Sequence, residues 1–373
     1  MPETILVSDV VRILEDWAPK QYAYDWDNVG LQVGSLNKKV NRVMITLDVL
    51  ESVVDEAIEN EVNLIIAHHP LLFKSIKRIN IDQPKGRILA KLLQHNITVY
   101  AAHTNLDITE GGVNDMLADR LELSDREVLI PTKQVNLYKL IVYVPNAYVD
   151  SLREALAEHG AGHIGNYSHC AFQTQGKGAF KPIAGSNPFI GQEGKVEFVE
   201  EVKLETIIKE DQLNQLLSVI KHVHPYEEPA FDLIPLANHG EKIGVGRIGV
   251  LSETMSLQQF CEFVKEKFSV PNLRVVGDLE KKVKKVAILG GSGEGFIAQA
   301  KRAGADVYVT GDMTFHDSQD ANAMGLSIVD PGHHVEKVMI EDVKLYMEMK
   351  ASEKDLNITF IISEQNTEPF QFL

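Results

Sequence analysis

A chain of 373 residues, 44% hydrophobic and 24% charged, has the composition of a soluble globular protein and the length of two or three domains. Its formal charge of −16 excludes a general nucleic-acid binder, because nonspecific affinity for phosphate backbones rests on clustered Lys and Arg. Two cysteines, Cys170 and Cys261, exclude a disulfide framework.

Neither cysteine lies in a CxxC spacing, which points to a reducing, cytoplasmic compartment. The amino terminus lacks the basic-then-apolar pattern of a signal peptide, and no run approaches the ~20 apolar residues of a spanning helix. A soluble protein without a membrane partner is expected.

In chain order, residues 8–17 (SDVVRILEDW) read as an amphipathic helix capped by Ser8. Residues 26–34 (WDNVGLQVG) form a turn-rich segment in which Asp27 and Asn28 are positioned to face a site. Strand patterns at 40–47, 62–67 and 97–102 alternate with helical ones at 50–59 and 86–94, the rhythm of a mostly parallel sheet.

After Pro131 the pattern changes. Strands are expected at 138–144, 196–207 and 230–236, with helices at 147–158 and 212–223 and a Gly-, Ser- and aromatic-rich stretch at 160–189. That succession is the ferredoxin-like order. From Gly244 the α/β rhythm returns, with helices at 256–268, 296–302 and 335–349 and strands at 283–289, 307–310 and 326–329. The outer parts look like distant copies in organisation. The expected fold is therefore α/β, with two related α/β layers (1–131 and 239–373) and an inserted ferredoxin-like α+β domain (132–238).

Three strand ends deliver imidazole and carboxylate groups. The run 64–67 (LIIA) stops at His68 and His69, the run 97–102 leads to His103 and Asp107, and the run 326–329 leads to His333, His334 and Glu336. The carboxyl ends of parallel strands are where open α/β sheets place their ligands. Imidazole with carboxylate and no nearby thiolate suits zinc, iron, manganese and other first-row divalent metals. His68, His69, His103, Asp107, His333 and Glu336 exceed what one tetrahedral ion uses, so two divalent metal ions are expected, zinc first, with Asp107 as the candidate bridge. His333 and Glu336, three apart on a helical turn, point together, and His334 points elsewhere. Such a pair supports metal-assisted hydrolysis.

Other features are weaker. The loop Gly290–Gly295 lacks the Walker ending and the G-x-G-x-x-G spacing, and it reads first as a tight turn. His316 and Asp317 are either site-facing or ordinary loop residues, and there is no nucleophile elbow for Ser-His-Asp catalysis. The basic run 280–285 (EKKVKK) reads as a solvated strand entry.

The motifs WDNVGLQVG (26–34), AHHPLLF (67–73), AHTNLD (102–107), TGDMTFHD (310–317) and DPGHHVEK (330–337) together resemble the GTP cyclohydrolase 1 type 2 homologue family of dinuclear-metal proteins. The resemblance implies metals held by His68, His69, Asp107, His333 and Glu336, with His103 as a further ligand or close neighbour. Some relatives space the last histidine and glutamate four apart, which raises His334 as the alternative to His333. The insert, through HPYEEP at 224–229, resembles PII-like and CutA-like domains, where His224 either caps a loop or helps gate the metal cavity. The resemblance further implies a homohexamer and a small-molecule substrate such as a nucleotide or other phosphorylated compound, GTP ring opening being the named reaction. The competing expectation is a non-catalytic, metal-containing binding or regulatory protein that senses a metabolite or metal.

Overall fold

The computed structural model describes residues 4–372. The chain forms two compact units, Met1–Thr132 with Ile243–Leu373, and Lys133–Lys242.

The first unit contains two sheets with helices packed between and outside them. In one sheet the strands Thr98–Ala101, Leu64–Ala67, Arg42–Thr46 and Thr359–Ile362 run parallel in that order, and Gly30–Val33 pairs antiparallel beside Thr98–Ala101. Leu64–Ala67 is buried at every position, as a central strand covered on both faces requires. The other sheet carries the parallel strands Lys282–Ser292, Val307–Gly311 and Ser327–Asp330, flanked by the antiparallel partners Phe231–Ser256 and Arg274–Val276.

One core joins the inner faces of both sheets. Val43, Ile45, Leu64 and Ile66 of the first and Val286, Ile288, Val307 and Val309 of the second pack with helices Val7–Trp17, Val113–Arg120, Leu257–Phe268 and Met339–Glu353. The outer faces are covered separately, one by Glu51–Glu59 and Pro84–Gln94, the other by Ile297–Arg302 and Phe315–Ala323. Two α/β layers therefore share a helical filling.

The helix expected from Ser8 starts one residue earlier, at Val7. Ser8 does not cap it, because its N–H and that of Val7 donate to the carbonyls of Leu36 and Lys38 at 2.9 and 2.8 Å, while Asp9 accepts the N–H of Leu6 at 2.9 Å. At Leu257–Phe268, Ser256 does cap, in a reciprocal pair with Gln259.

In the second unit the strands follow the order Ala171–Phe180, Glu197–Lys209, Ser124–Pro145, Phe231–Ser256 across the sheet. Helices Val149–Glu158 and Leu213–Val223 pack on one face against Leu140, Val142, Val144, Val202, Leu204 and Ile208. A βαββαβ chain with its first strand between the third and fourth is ferredoxin-like. The strand Ala171–Phe180 lay hidden in the Gly-rich stretch, since nearly all its residues are exposed and no apolar alternation marks them. His224 is buried and spends both ring nitrogens within this unit, Nε2 donating to the Tyr143 carbonyl at 2.9 Å and Nδ1 accepting from the Tyr226 N–H at 3.0 Å.

Candidate metal centre

Each of the inner parallel strands of the first unit ends at one place. Arg42–Thr46 leads to Asp48, Leu64–Ala67 to His68 and His69, and Thr98–Ala101 to His103. From the other sheet, Lys282–Ser292 supplies Gly290, Gly291 and Ser292, Val307–Gly311 leads to Asp312, and Ser327–Asp330 leads to His333. The residues His333–Val338 form a 3-10 turn, in which positions three apart eclipse. His333 and Glu336 consequently meet, Nε2 to Oε2 at 3.2 Å.

Four imidazoles are oriented in the same way, each through Nδ1. That atom of His68 donates to the Ala102 carbonyl at 2.8 Å. In His69 it meets Asp48 Oδ1 at 2.7 Å, in His103 Asp27 Oδ1 at 3.0 Å, and in His333 Asp312 Oδ2 at 2.7 Å. An acceptor at Nδ1 fixes the proton there and leaves Nε2 as the ligating lone pair, the arrangement typical of metal-binding histidines. Asp312 is itself held by Ser292 Oγ at 2.6 Å and sits in the left-handed region at φ 58°, a conformation Asp tolerates better than most residues.

Glu336, 2% exposed, lies between the imidazoles. Its Oε2 is 3.0 Å from His69 Nε2, and its Oε1 faces His68 Nε2 at 3.9 Å, while Asp107 Oδ1 is 3.5 Å from the same His68 atom. Glu336, more than Asp107, is placed to be shared, since its two oxygens face different imidazoles. Donor atoms within 4.8 Å of one another form three overlapping groups that could hold a metal ion: His68, His69 and His103; His69, His333 and Glu336; and His68, Asp107 and Glu336. All six residues expected from the sequence are brought together.

His68 Nε2 and Asp107 Oδ1 are buried without a hydrogen-bond partner. With its Nδ1 proton committed to Ala102, His68 presents a lone pair toward a carboxylate oxygen. Two acceptors facing each other in a buried place are costly unless a metal cation, or a proton on Asp107, lies between them. The donor set of nitrogen and oxygen fits a first-row divalent ion.

Protons balance the charge of the cluster by itself. Burial would lower the His69 pKa, but the hydrogen bonds to Asp48 and Glu336 outweigh it and push it up to about 10. His333, half-buried, is raised to about 9, its contacts with Glu336 and Asp312 outweighing desolvation. Burial and the neighbouring Glu336 charge raise Asp107 to about 8. Burial would raise Glu336 too, yet the imidazoles around it hold its carboxyl well below the usual range.

The glycine loop makes room for the cluster. A Cβ on Gly290 would stand 2.8 Å from Glu336 Oε1, and one on Gly291 would stand 3.0 Å from the same oxygen and 3.3 Å from His333 Nε2. His334 is absent from the cluster and lines a separate cavity with Thr46, Lys337 and Thr367. His316 is exposed, and Asp317 joins the cap of its own helix with Thr314. Asn28 ties its segment to the Leu72 carbonyl at 2.7 Å. Asp48, Asp312 and Thr367, which donates to Asp48 Oδ2 at 2.6 Å, escaped the sequence reading. Asp48 and Asp312 were detectable in principle, because both stand just past a strand end.

A cavity of about 710 Å3 opens from the cluster. Its lining includes Tyr24, Trp26, Phe73 and Phe296 beside His69, His103, Asp107, His333 and Glu336.

The Duf34/NIF3 (NGG1p interacting factor 3) family model matches residues 5–369. The chain belongs to the Duf34/NIF3 family. It is 52% identical over 98% of both chains to a GTP cyclohydrolase 1 type 2 homolog of Halalkalibacterium halodurans, and 50% identical over the full length of both to one of Bacillus subtilis. Among solved structures it matches a Bacillus cereus protein related to NIF3 with a TM-score of 0.95 and 47% identity, covering 100% of each chain. The family read from the five motifs is therefore the chain's own. No helix among the described residues is long and apolar enough to cross a membrane.

Proposed function

We propose that this Duf34/NIF3 protein is a cytoplasmic, divalent-metal-dependent hydrolase whose cluster holds two ions, zinc first and iron or manganese as alternatives, and which acts on a nucleotide or phosphorylated small molecule. The observation that carries the reading is the pair of unpartnered buried acceptors, His68 Nε2 and Asp107 Oδ1, inside a ring of imidazoles all anchored through Nδ1. A bound divalent pair polarises a phosphoryl or carbonyl oxygen and acidifies water. His69, His333 and one oxygen of Glu336 would hold one ion, and His68, Asp107 and the other oxygen of Glu336 the second, with His103 beside them. Asp48, Asp27 and Asp312 keep the rings turned, and the walls of the cavity limit the water around a bound substrate. Ring opening of GTP with formate release is the named candidate reaction, suggested by what the relatives are called.

The test begins with metal content per chain by elemental analysis, in parallel with His69→Ala and Glu336→Ala. About two ions in the parent and fewer in each variant are expected; no metal after reconstitution with zinc, manganese and iron would remove the reading. Metal-replete protein is then assayed for formate release from GTP and for turnover of a nucleotide and phosphoester panel.

A second reading is a metal-containing homohexamer that binds or senses a metabolite without turnover. It draws on the ferredoxin-like unit, whose Phe172, Ile183 and Phe198 are all more than half exposed, and on the frequent use of that fold in binding and assembly, a fold-level analogy. Ligand-dependent change in oligomeric state without product would favour it.

A further inference from the structure

The aromatic lining of the cavity forms a continuous wall that ends at the cluster. Tyr24 and Trp26 stack with ring centroids 5.6 Å apart and planes inclined by 14°. Phe73 stands edge-on to Trp26 at 5.9 Å, and His103 lies edge-on to both, 6.3 Å from each. Trp26 and Phe73 are large apolar side chains left 60% and 49% exposed, although the same unit has a core able to bury such rings. Aromatic faces held in a partly open cavity beside a chemical centre are binding surfaces for flat ligands.

The charge of the lining sets a second condition. Among the residues that line the cavity none is Lys or Arg, and the cationic groups available are the imidazoles. Proteins that take up the several charges of a polyphosphate supply Lys, Arg or a backbone nest along its length. Here a phosphate chain longer than one group would meet aromatic and aliphatic surface and the Asp107 and Glu336 carboxylates, with Thr104, Thr132 and the short Gly290–Ser292 stretch as further polar groups besides the imidazoles, a poor match for several negative charges. The exposed loop that follows Phe73 in the chain carries Lys74, Lys77 and Arg78, outside the lining.

We propose that the cavity selects a planar heterocyclic ligand stacked on the Tyr24–Trp26 pair, with Phe73 edge-on beside it, and carrying at most one phosphate-sized anionic group directed to the cluster, in preference to a nucleoside triphosphate. The proposal narrows the hydrolase reading to ligands smaller than GTP, against the named candidate reaction, and rests on that reading for the position of the anionic group. The stacking surface does not depend on it. A nucleoside or nucleoside monophosphate satisfies both conditions, and a sugar phosphate without a ring system satisfies only the second.

The experiment measures binding of guanosine, GMP, GTP and ribose 5-phosphate to the full-length protein by calorimetry, with zinc loaded and with metal removed, in the parent, Trp26→Leu and Phe73→Leu. Metal content and circular dichroism are recorded on the same samples. Guanosine and GMP are expected to bind, each weakened about tenfold by Trp26→Leu, in keeping with the usual worth of base stacking, while ribose 5-phosphate is unaffected. GTP is expected to bind no tighter than GMP. Equal binding of ribose 5-phosphate and GMP, or equal loss of both in Trp26→Leu, would overturn the stacking surface. GTP binding tenfold tighter than GMP, with the gain lost in the Lys74→Ala, Lys77→Ala, Arg78→Ala triple variant, would overturn the charge limit. Metal-free protein that still binds guanosine through Trp26 separates the two claims, because an absence of bound zinc then counts against the hydrolase reading alone.

Discussion

Asp48 Oδ1 meets His69 Nδ1 at 2.7 Å, while the other oxygen of Asp48 accepts the Thr367 hydroxyl at 2.6 Å. The carboxylate thus links the C-terminal segment to a ring whose far nitrogen lies 3.0 Å from Glu336. Partners at this distance from a metal are commonly worth 10–100-fold in affinity. Asp48→Ala is expected to weaken zinc binding about 10–100-fold, and Thr367→Val to do so in the same direction but less, as read by competition with a chelator. Unchanged affinity in both would show that the ring needs no such support.

Glu336 and Asp107 should differ in kind. Because the oxygens of Glu336 face separate imidazoles, Glu336→Ala is expected to empty both positions, whereas Asp107→Ala leaves the group of His69, His333 and Glu336 able to keep one ion. Elemental analysis distinguishes the two. Equal losses would instead make Asp107 the shared carboxylate.

Gly290 is expected to tolerate no side chain. Gly290→Ala puts a Cβ 2.8 Å from Glu336 Oε1 and 3.1 Å from a Leu117 methyl, and overpacking of this kind costs about 1–3 kcal/mol. Both a lower melting temperature and reduced metal content should follow, measured on one preparation by calorimetry and elemental analysis.

Away from the site, Arg247 is the most heavily bonded cation of the first unit's interior. It pairs with Asp115 at 2.7 and 2.6 Å and donates to the carbonyls of Gly244, Gly246 and Thr109. Arg247→Ala leaves Asp115 with the Gly111 N–H but without its cation and is expected to cost about 3–5 kcal/mol, seen as a fall in the denaturation midpoint. Arg247→Lys should recover only part, because an ammonium cannot reproduce the fork. A midpoint shift under 1 kcal/mol would contradict the assignment.

The second unit should weaken in mild acid. Burial lowers the His224 pKa, with the Tyr143 carbonyl and the Glu201 charge opposing that shift in part, and a proton on Nδ1 would abolish the bond from the Tyr226 N–H. The unfolded chain therefore takes up this proton first. Stability is unaffected above about pH 6.5, the ordinary histidine value, and falls as the pH drops from there through the lower folded value. Thermal melts across pH 7.5 to 5 on the parent and His224→Gln check the sign, the variant being expected to show the flatter profile.

Much of this was legible in the chain. Leu64–Ala67 announced a buried parallel strand because its apolar run has no alternation, and the histidines that stop it stand where ligands gather. His333 and Glu336 could be paired from their spacing alone. The choice of His333 over His334 follows the same spacing, and the 3-10 turn brings His333 and not His334 to Glu336. Ser8 misled because tertiary bonds from the N–H groups of Val7 and Ser8 to the carbonyls of Lys38 and Leu36 replaced its capping role. Asp312 was marked by its place just past a strand end but not by its partner, 21 residues on, whereas Thr367 was silent because its partner lies 319 residues away and no local pattern records such a contact. The aromatic wall was unreadable for the same reason, since Trp26 and Phe73 meet only across the fold.

The strand Thr359–Ile362 closes one edge of the sheet that holds Gly30–Val33, Leu64–Ala67 and Thr98–Ala101, beside Arg42–Thr46. The donors are divided in the same way, since His68, His69 and His103 precede the ferredoxin-like unit in the chain and Glu336 follows it. The cluster therefore forms only when the two segments of the first unit have packed on their common core, a long-range pairing whose loop-closure entropy is lost before its contacts compensate for it.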